Sequence, residues 1–214
     1  VGAGEALTAK ANTDTPEPAL TNDRVGGRYR LQTDFLSVEC DASGRLLSLA
    51  DKAAGREMLD TRAPWGFGEV IRETITSAED RAAVWERGYS FLPYAYRRSD
   101  ANFAREGSLP KARVARVESG PVFEALLVES ELPYLRRIET EVRLWRELPW
   151  LEVEVRLDKQ AYELYEGVYV AFPFKLEGVR SLVHSCDAVF EAEAQQLPGT
   201  CRDYYAVQDY VAMV

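Results

Sequence analysis

The 214-residue chain carries 35 acidic and 26 basic residues, a formal net charge of −9, with 46% hydrophobic residues. Its bases are scattered among the acids rather than gathered into a stripe, which excludes nucleic acid and anionic membrane surfaces as partners. No apolar run approaches the roughly 18 to 20 residues of a membrane span and no charged-then-apolar leader opens the chain, so it reads as soluble, is expected in the cytoplasm, and is long enough for one sizeable core.

Val1 to Val25 is rich in Gly, Ala, Thr and Pro without apolar periodicity and reads as a linker or disordered lead-in. The expected organisation is therefore a lead-in over residues 1–27 and one domain over 28–214. An initial Val rather than Met suits a fragment of a longer chain, and equally a processed terminus. Phe35 to Cys40 and Arg45 to Ala50 flank Asp41-Ala-Ser-Gly44, a hairpin in which Gly44 supplies positive φ. Asp51 to Arg56 is a second polar turn before Glu57 to Leu59. Ser77, Asp80 and Gly88 carry the cap and stop signals of one short helix, with Ala78, Ala82 and Trp85 on one face. Gly88 to Lys111 shows no period and reads as loop or irregular strand.

Strands follow from Arg113. Arg113 to Glu118 pairs with Val122 to Glu131 across Ser119-Gly-Pro121, and Tyr134 to Leu144 pairs with Leu151 to Leu157 across Trp145-Arg-Glu-Leu-Pro-Trp150. Setting Leu144 opposite Leu151 puts Val142 opposite Val153 and Ile138 opposite Leu157. The same register sets Arg143 opposite Glu152, Glu139 opposite Arg156 and Glu141 opposite Glu154. Such charged pairs contribute about 0.2 to 1 kcal/mol each, of either sign, so the apolar face must set the register. Further on, Val168, Val170, Phe172, Phe174 and Leu176 alternate as the core face of one strand, with Pro173 pointing away and marking an edge or bulge. Many alternating strands, hairpin-length connections and one helix predict an all-β fold, a twisted antiparallel β-sandwich.

Cys40, Cys186 and Cys201 are odd in number and widely spaced, which favours buried free thiols over a disulfide framework or a zinc site. His184 is the only histidine, so one copy of the chain completes no His pair and no Ser-His-Asp triad. His184-Ser-Cys186 offers two possible metal ligands, but a structural histidine beside a buried thiol is the favoured reading.

Three pieces, in order, carry a likeness. Tyr29-Arg-Leu31 leads to Gly44-Arg-Leu-Leu-Ser-Leu-Ala-Asp-Lys52 and Gly55-Arg-Glu-Met-Leu59; then come Val168-Tyr-Val-Ala-Phe-Pro-Phe174 and Gln196-Leu-Pro-Gly-Thr-Cys-Arg-Asp-Tyr-Tyr-Ala-Val-Gln-Asp-Tyr-Val211. Together they resemble the C-terminal β-sandwich region of glycoside hydrolase family 38, the α-mannosidases. The resemblance implies a large sandwich of the galactose-mutarotase-like (supersandwich) kind that follows a catalytic barrel and a helical bundle. It also implies that the barrel supplies the aspartate nucleophile, the second carboxylic acid and the zinc ligands. No catalytic residue, metal ligand or cofactor is then expected in this chain, whose partners would be the upstream barrel of the same parent and an α-mannoside or other glycan. The chain departs from the family pattern at Leu157-Asp-Lys-Gln160, where many members carry Trp-x-Glu. It also ends at Val214, where the family's sandwich continues; either the sandwich is cut short there, which would leave an unpaired strand edge, or this subgroup is short.

Asp203, Tyr204, Tyr205 and Gln208 are the candidate residues for a substrate rim or domain interface. They follow a Leu-Pro-Gly turn and mix rings, which can stack on a sugar, with groups that bond its hydroxyls. Packing of Tyr204, Tyr205 and Tyr210 against barrel or core is the plainer alternative. The acid pairs Glu191 with Glu193, Glu152 with Glu154 and Asp203 with Asp209 read as solvated strand faces, and Trp65, Trp85, Trp145 and Trp150 as buried rings. The favoured function is a non-catalytic support domain of an α-mannosidase-like enzyme. A stand-alone carbohydrate-binding module comes second. A mutarotase-like epimerase, which would want more than one histidine, comes third.

Overall fold

The computed structural model describes residues 27–75, 103–162, 166–175, 177–200, 202 and 204–214. The lead-in over 1–25, the helix expected from Ser77 to Gly88 with Trp85, and Leu176, Cys201 and Asp203 lie outside the described residues. Contacts divide the chain into two compact units, the first ending at Pro173 and the second running from Phe174 to Val214.

The first unit contains three antiparallel sheets. One is a meander of β1 (Tyr29–Gln32), β2 (Leu36–Cys40), β3 (Leu46–Asp51) and β4 (Arg56–Glu57). The second sets β5 (Val70–Ile75) between β6 (Phe103–Gly107) and β11 (Glu166–Val170). The third runs in the spatial order β10, β9, β8, β7, from β7 (Arg113–Ser119), β8 (Phe123–Leu132), β9 (Leu135–Trp145) and β10 (Leu151–Lys159). The only described helical piece is a 3₁₀ turn at Leu109–Lys111, which Pro110 helps start. The fold is all-β, an antiparallel sandwich.

The expected hairpins form. Asp41 Oδ1 accepts from the Ser43 N–H at 2.9 Å and the Arg45 N–H at 3.1 Å, and Gly44 takes φ +86°. Between β9 and β10 the register is the one the apolar face demands, with Leu144 opposite Leu151, Val142 opposite Val153 and Ile138 opposite Leu157. The like-charged pair Glu141 and Glu154 does not cost what its register alone implies. Arg143 Nη2 lies 2.9 Å from a carboxylate oxygen of each, and Arg156 reaches Glu154 at 2.5 Å and Glu141 at 3.6 Å. Arg116 adds a third guanidinium to Glu141, so this outward-facing carboxylate is only 3% exposed under a layer of arginines.

Two sheets meet face to face. Val70 from β5 packs with Leu132, Leu135 and Ile138 of β8 and β9 and the turn between them, and Val155, Val168 and Val170 close the cluster. Leu135 and Ile138 are fully buried, so each contributes about 1.5–3 kcal/mol relative to exposure.

Three sequence expectations need correction. The strand opening at Glu166 stops at Val170, and Phe172 is 49% exposed rather than part of a continuous core face. Beyond Val170 the backbone leaves the β5 ladder. The Ala171 carbonyl accepts from the Gly68 N–H at 2.8 Å and the Pro173 carbonyl from the Asp60 N–H at 2.9 Å, while the Phe172 ring lies edge-on to Phe67 at 5.3 Å. Among the described residues β11 pairs only with β5, but Pro173, expected to mark an edge or bulge, lies beyond the end of that strand. Next, β6 is a regular strand, although only Phe103 in it is a large apolar residue; its order comes from pairing with β5 and from Arg105 Nε at 2.6 Å from Glu73. Last, Leu157 is 41% exposed, because the inner face of β10 lies at the sheet edge.

A buried charge network links β5, β10 and β11. Arg72 Nε and Lys159 Nζ each lie 2.5 Å from an oxygen of Glu166, and the Arg72 guanidinium sits 5.0 Å and 4.8 Å from the rings of Tyr134 and Tyr162. Burial pushes the Glu166 carboxyl up, but the hydrogen bonds and charges of Lys159 and Arg72 outweigh it and hold the group below its usual range. A carboxyl depressed in the folded state stabilises fully above its unfolded value, about 4.3, and less as pH falls through the lower folded value. Wild type should therefore exceed Glu166→Gln in urea-unfolding free energy at pH 7, and the gap should close progressively below about pH 4. A gap independent of pH would overturn the network.

Candidate functional site

The second unit holds a sheet in the order β13, β12, β14, from β12 (Ser181–Ser185), β13 (Ala188–Glu191) and β14 (Val211–Met213). Ser185 pairs with Ala188, which leaves the two-residue turn Cys186-Asp187 with φ of +52° and +58°. Positive φ at both turn positions matches the twist of the flanking strands. The same turn lifts Cys186 into solvent, so it is not the buried thiol expected beside His184. Cys40 is the buried one. Desolvation, helped by the charge of Asp41, pushes its thiol up to about 12. Iodoacetamide at neutral pH is expected to alkylate Cys186 and spare Cys40 in the native protein. Peptide mapping checks this, and labelling of Cys40 without denaturant would contradict it.

Three of the four candidate rim residues are described. Gln208 is committed to the turn: its Oε1 accepts from the Asp187 N–H at 3.2 Å, its Nε2 donates to Asp187 Oδ1 at 3.4 Å, and its own N–H donates to the His184 carbonyl at 2.9 Å. Tyr205 is half-buried, with its hydroxyl donating to Gln196 Oε1 at 2.9 Å and its ring 6.0 Å from Phe190. Tyr204 stands 76% exposed. These side chains therefore share a segment without converging on one point. His184 stacks on Tyr210 at 5.1 Å, and its Nδ1 lies 3.0 Å from Asp209 Oδ2 but too far out of line to make a hydrogen bond.

The acid pairs resolve differently. Glu152 and Glu154 share a face of β10 and are tied to Arg143 and Arg156. Glu191 ends β13, whereas Glu193 sits in a turn at φ +66°, so the two do not share a strand face as their spacing suggested.

A shallow, open cleft lies at one end of the β7–β10 sheet, with Pro121, Val122, Glu147 and Leu148 exposed along it. Here the tips of the β7–β8 and β9–β10 hairpins flank a cleft of about 400 Å³ lined by Pro121, Val122, Trp145, Glu147 and Leu148. Arg146 ties the tips together. Its N–H donates to the Val122 carbonyl at 3.0 Å, its Nε to the Gly120 carbonyl at 2.6 Å and its Nη2 to Ser119 Oγ at 3.2 Å, with Glu124 as ion-pair partner. Trp145 is held by an indole bond to Glu152 Oε2 at 3.1 Å and by Phe123, 5.8 Å away and edge-on. On the same tip Trp150 is 60% exposed and Leu148 39%, so the expectation of buried rings fails for Trp150. Trp145, half-buried against Phe123, and Trp150, exposed, bracket the same turn, so what stands opposite each ring decides the outcome.

Among the described residues, no three His, Cys, Asp or Glu side chains gather where they could hold a metal ion, and no helix is long and apolar enough to cross a membrane. Each buried glutamate has a structural partner. Glu69 accepts from the Gly66 and Leu109 N–H groups, Glu73 pairs with Arg105, and Glu141 and Glu166 sit in the arginine networks. The fold and these sites define an antiparallel β-sandwich domain whose buried charges serve its own ladders. Residues 31–191 match the family model described as the glycosyl hydrolases family 38 C-terminal domain, and the chain belongs to that family. No curated protein matches the chain.

Proposed function

We propose that this chain is the non-catalytic β-sandwich domain of an α-mannosidase-like glycosidase, and that it supports a zinc-dependent barrel of the same parent, which hydrolyses α-mannosides with retention. The reading rests on the family match over residues 31–191, and the state of the buried carboxylates supports it. Retention requires two carboxyl groups about 5–5.5 Å apart, one free to attack and the other free to carry a proton. Glu73, Glu141 and Glu166 are instead clamped by guanidinium or ammonium groups, and Glu69 caps backbone N–H groups. Asp203, Tyr204 and Tyr205 serve at the rim or at the interface with the barrel on this reading, and Gln208 contributes there by holding the Cys186-Asp187 turn. The parent is a soluble, cytoplasmic enzyme on this reading.

Hydrolysis of an aryl α-mannoside tests it, using the full parent with and without a zinc chelator beside the 214-residue chain. Chelator-sensitive turnover by the parent and none by the chain is expected. Turnover by the chain alone, or a parent without a barrel, would sink the reading. The rival of a stand-alone carbohydrate-binding module draws on the solvent-facing rings of Tyr204 and Trp150; it predicts a parent that has no barrel and turns over no aryl α-mannoside.

A further inference from the structure

The cleft between the β7–β8 and β9–β10 hairpin tips is unused by the proposed support role, and it is better built than its exposed position requires. We infer that it is a secondary sugar site that takes one neutral pyranose ring of a glycan. The choice of a sugar as occupant rests on the glycosidase reading; the site itself rests on its geometry.

The walls of the cleft are braced by contacts that need no ligand. Arg146 braces both tips through two backbone carbonyls, Ser119 and Glu124, and Trp145 is pinned by Glu152 at one edge and Phe123 at another. A site held this way orders little on binding, which is where weak small-ligand sites lose their affinity. Its volume, about 400 Å³, falls within the roughly 300–1,000 Å³ of small-molecule pockets.

Its chemistry narrows the occupant. Trp145 with Pro121, Val122 and Leu148 presents an indole among aliphatic groups, suited to the C–H face of a pyranose. Glu147 is exposed and no ion pair engages it among the described residues, so it is available to accept from ring hydroxyls. An anion is disfavoured, because Glu147 is negative and the one cation of the tip, Arg146, points its donors inward. A folded protein partner would ordinarily cover more than about 1,000 Å², far more than this cleft offers. An organic cation is the rival occupant, since an indole and a carboxylate also suit an ammonium group.

The test uses the full parent labelled with 5-fluorotryptophan, with the Trp145 resonance identified by its loss in Trp145→Phe. Titration with methyl α-mannopyranoside is expected to shift that resonance saturably with a dissociation constant on the order of 1 mM, and Glu147→Ala and Leu148→Ala should each weaken binding by about tenfold or more. Tetramethylammonium should leave the resonance in place. No saturable shift at Trp145, a shift unaltered in both variants, or a response to tetramethylammonium but not to the pyranoside would each overturn the inference. Aryl α-mannoside turnover is read separately on the unsubstituted parent. Turnover without a Trp145 shift refutes the sugar site and leaves the support-domain reading standing; a Trp145 shift without turnover upholds the site and refutes that reading.

Discussion

Replacing Glu73 with alanine is expected to destabilise the protein by about 3–5 kcal/mol, a large share of the 5–15 kcal/mol that a domain commonly has. Glu73 is wholly inaccessible at the centre of β5. Arg105 Nε from β6 lies 2.6 Å from one carboxylate oxygen, and the Tyr169 hydroxyl from β11 donates to the other at 3.2 Å. One side chain thus joins all three strands of its sheet. Gly167, opposite Glu73 in the ladder, makes the second bond possible: a Cβ there would come within 2.6 Å of the Tyr169 hydroxyl. Alanine removes a buried charge, takes this acceptor from Arg105 and Tyr169 and leaves a cavity in a layer that cannot collapse without moving β6. Glu73→Gln keeps the volume and the Tyr169 contact and should cost distinctly less. Urea unfolding at pH 7 measures both, and a Glu73→Ala loss below about 0.5 kcal/mol would mean that the pair does not hold the sheet.

Gly44→Ala should be nearly as damaging, at about 2–4 kcal/mol, for a different reason. At φ +86° a side chain costs about 1–2 kcal/mol in backbone strain alone. The new Cβ would also lie 2.8 Å from Val128 Cγ1, and closer still to Cγ2, on buried β8. Forcing such a contact adds about 1–3 kcal/mol. The two parts can be separated with Val128→Ala. If the collision is real, the double variant should be less destabilised than the sum of the single variants by more than about 0.5 kcal/mol. Strict additivity would assign the whole loss to backbone strain.

The β9–β10 pairing was legible because a period-two apolar pattern leaves one workable register: a slip of one residue would turn Val142 and Leu144 to solvent. The same holds for the hairpin at Gly44. The candidate site was less legible. Gln208 could be located in the sequence but not its engagement with Asp187, which depends on a turn of two positive-φ residues that carry neither Gly nor Asn. The tip cleft was hidden because its walls come from two hairpins, and whether a tryptophan in a polar turn is covered depends on what stands opposite.

Local pattern by itself determined the all-β class, the hairpins and most strand positions, since alternation, turn residues and the family motifs all act over short stretches of chain. Tertiary structure alone decided which charges are buried and with whom. Glu141 lies on the charged face of β9, and Glu73 in the middle of β5, yet both are covered by arginines: Arg105 of β6 for Glu73, and Arg116 of β7, Arg143 of β9 and Arg156 of β10 for Glu141. It also decided where the Val168–Leu176 alternation stops being a strand, because a ladder ends where its partner leaves, and that partner is separated from it by about a hundred residues of sequence. A strand needs a neighbour's backbone donors and acceptors, and one strand's sequence does not say where they will be.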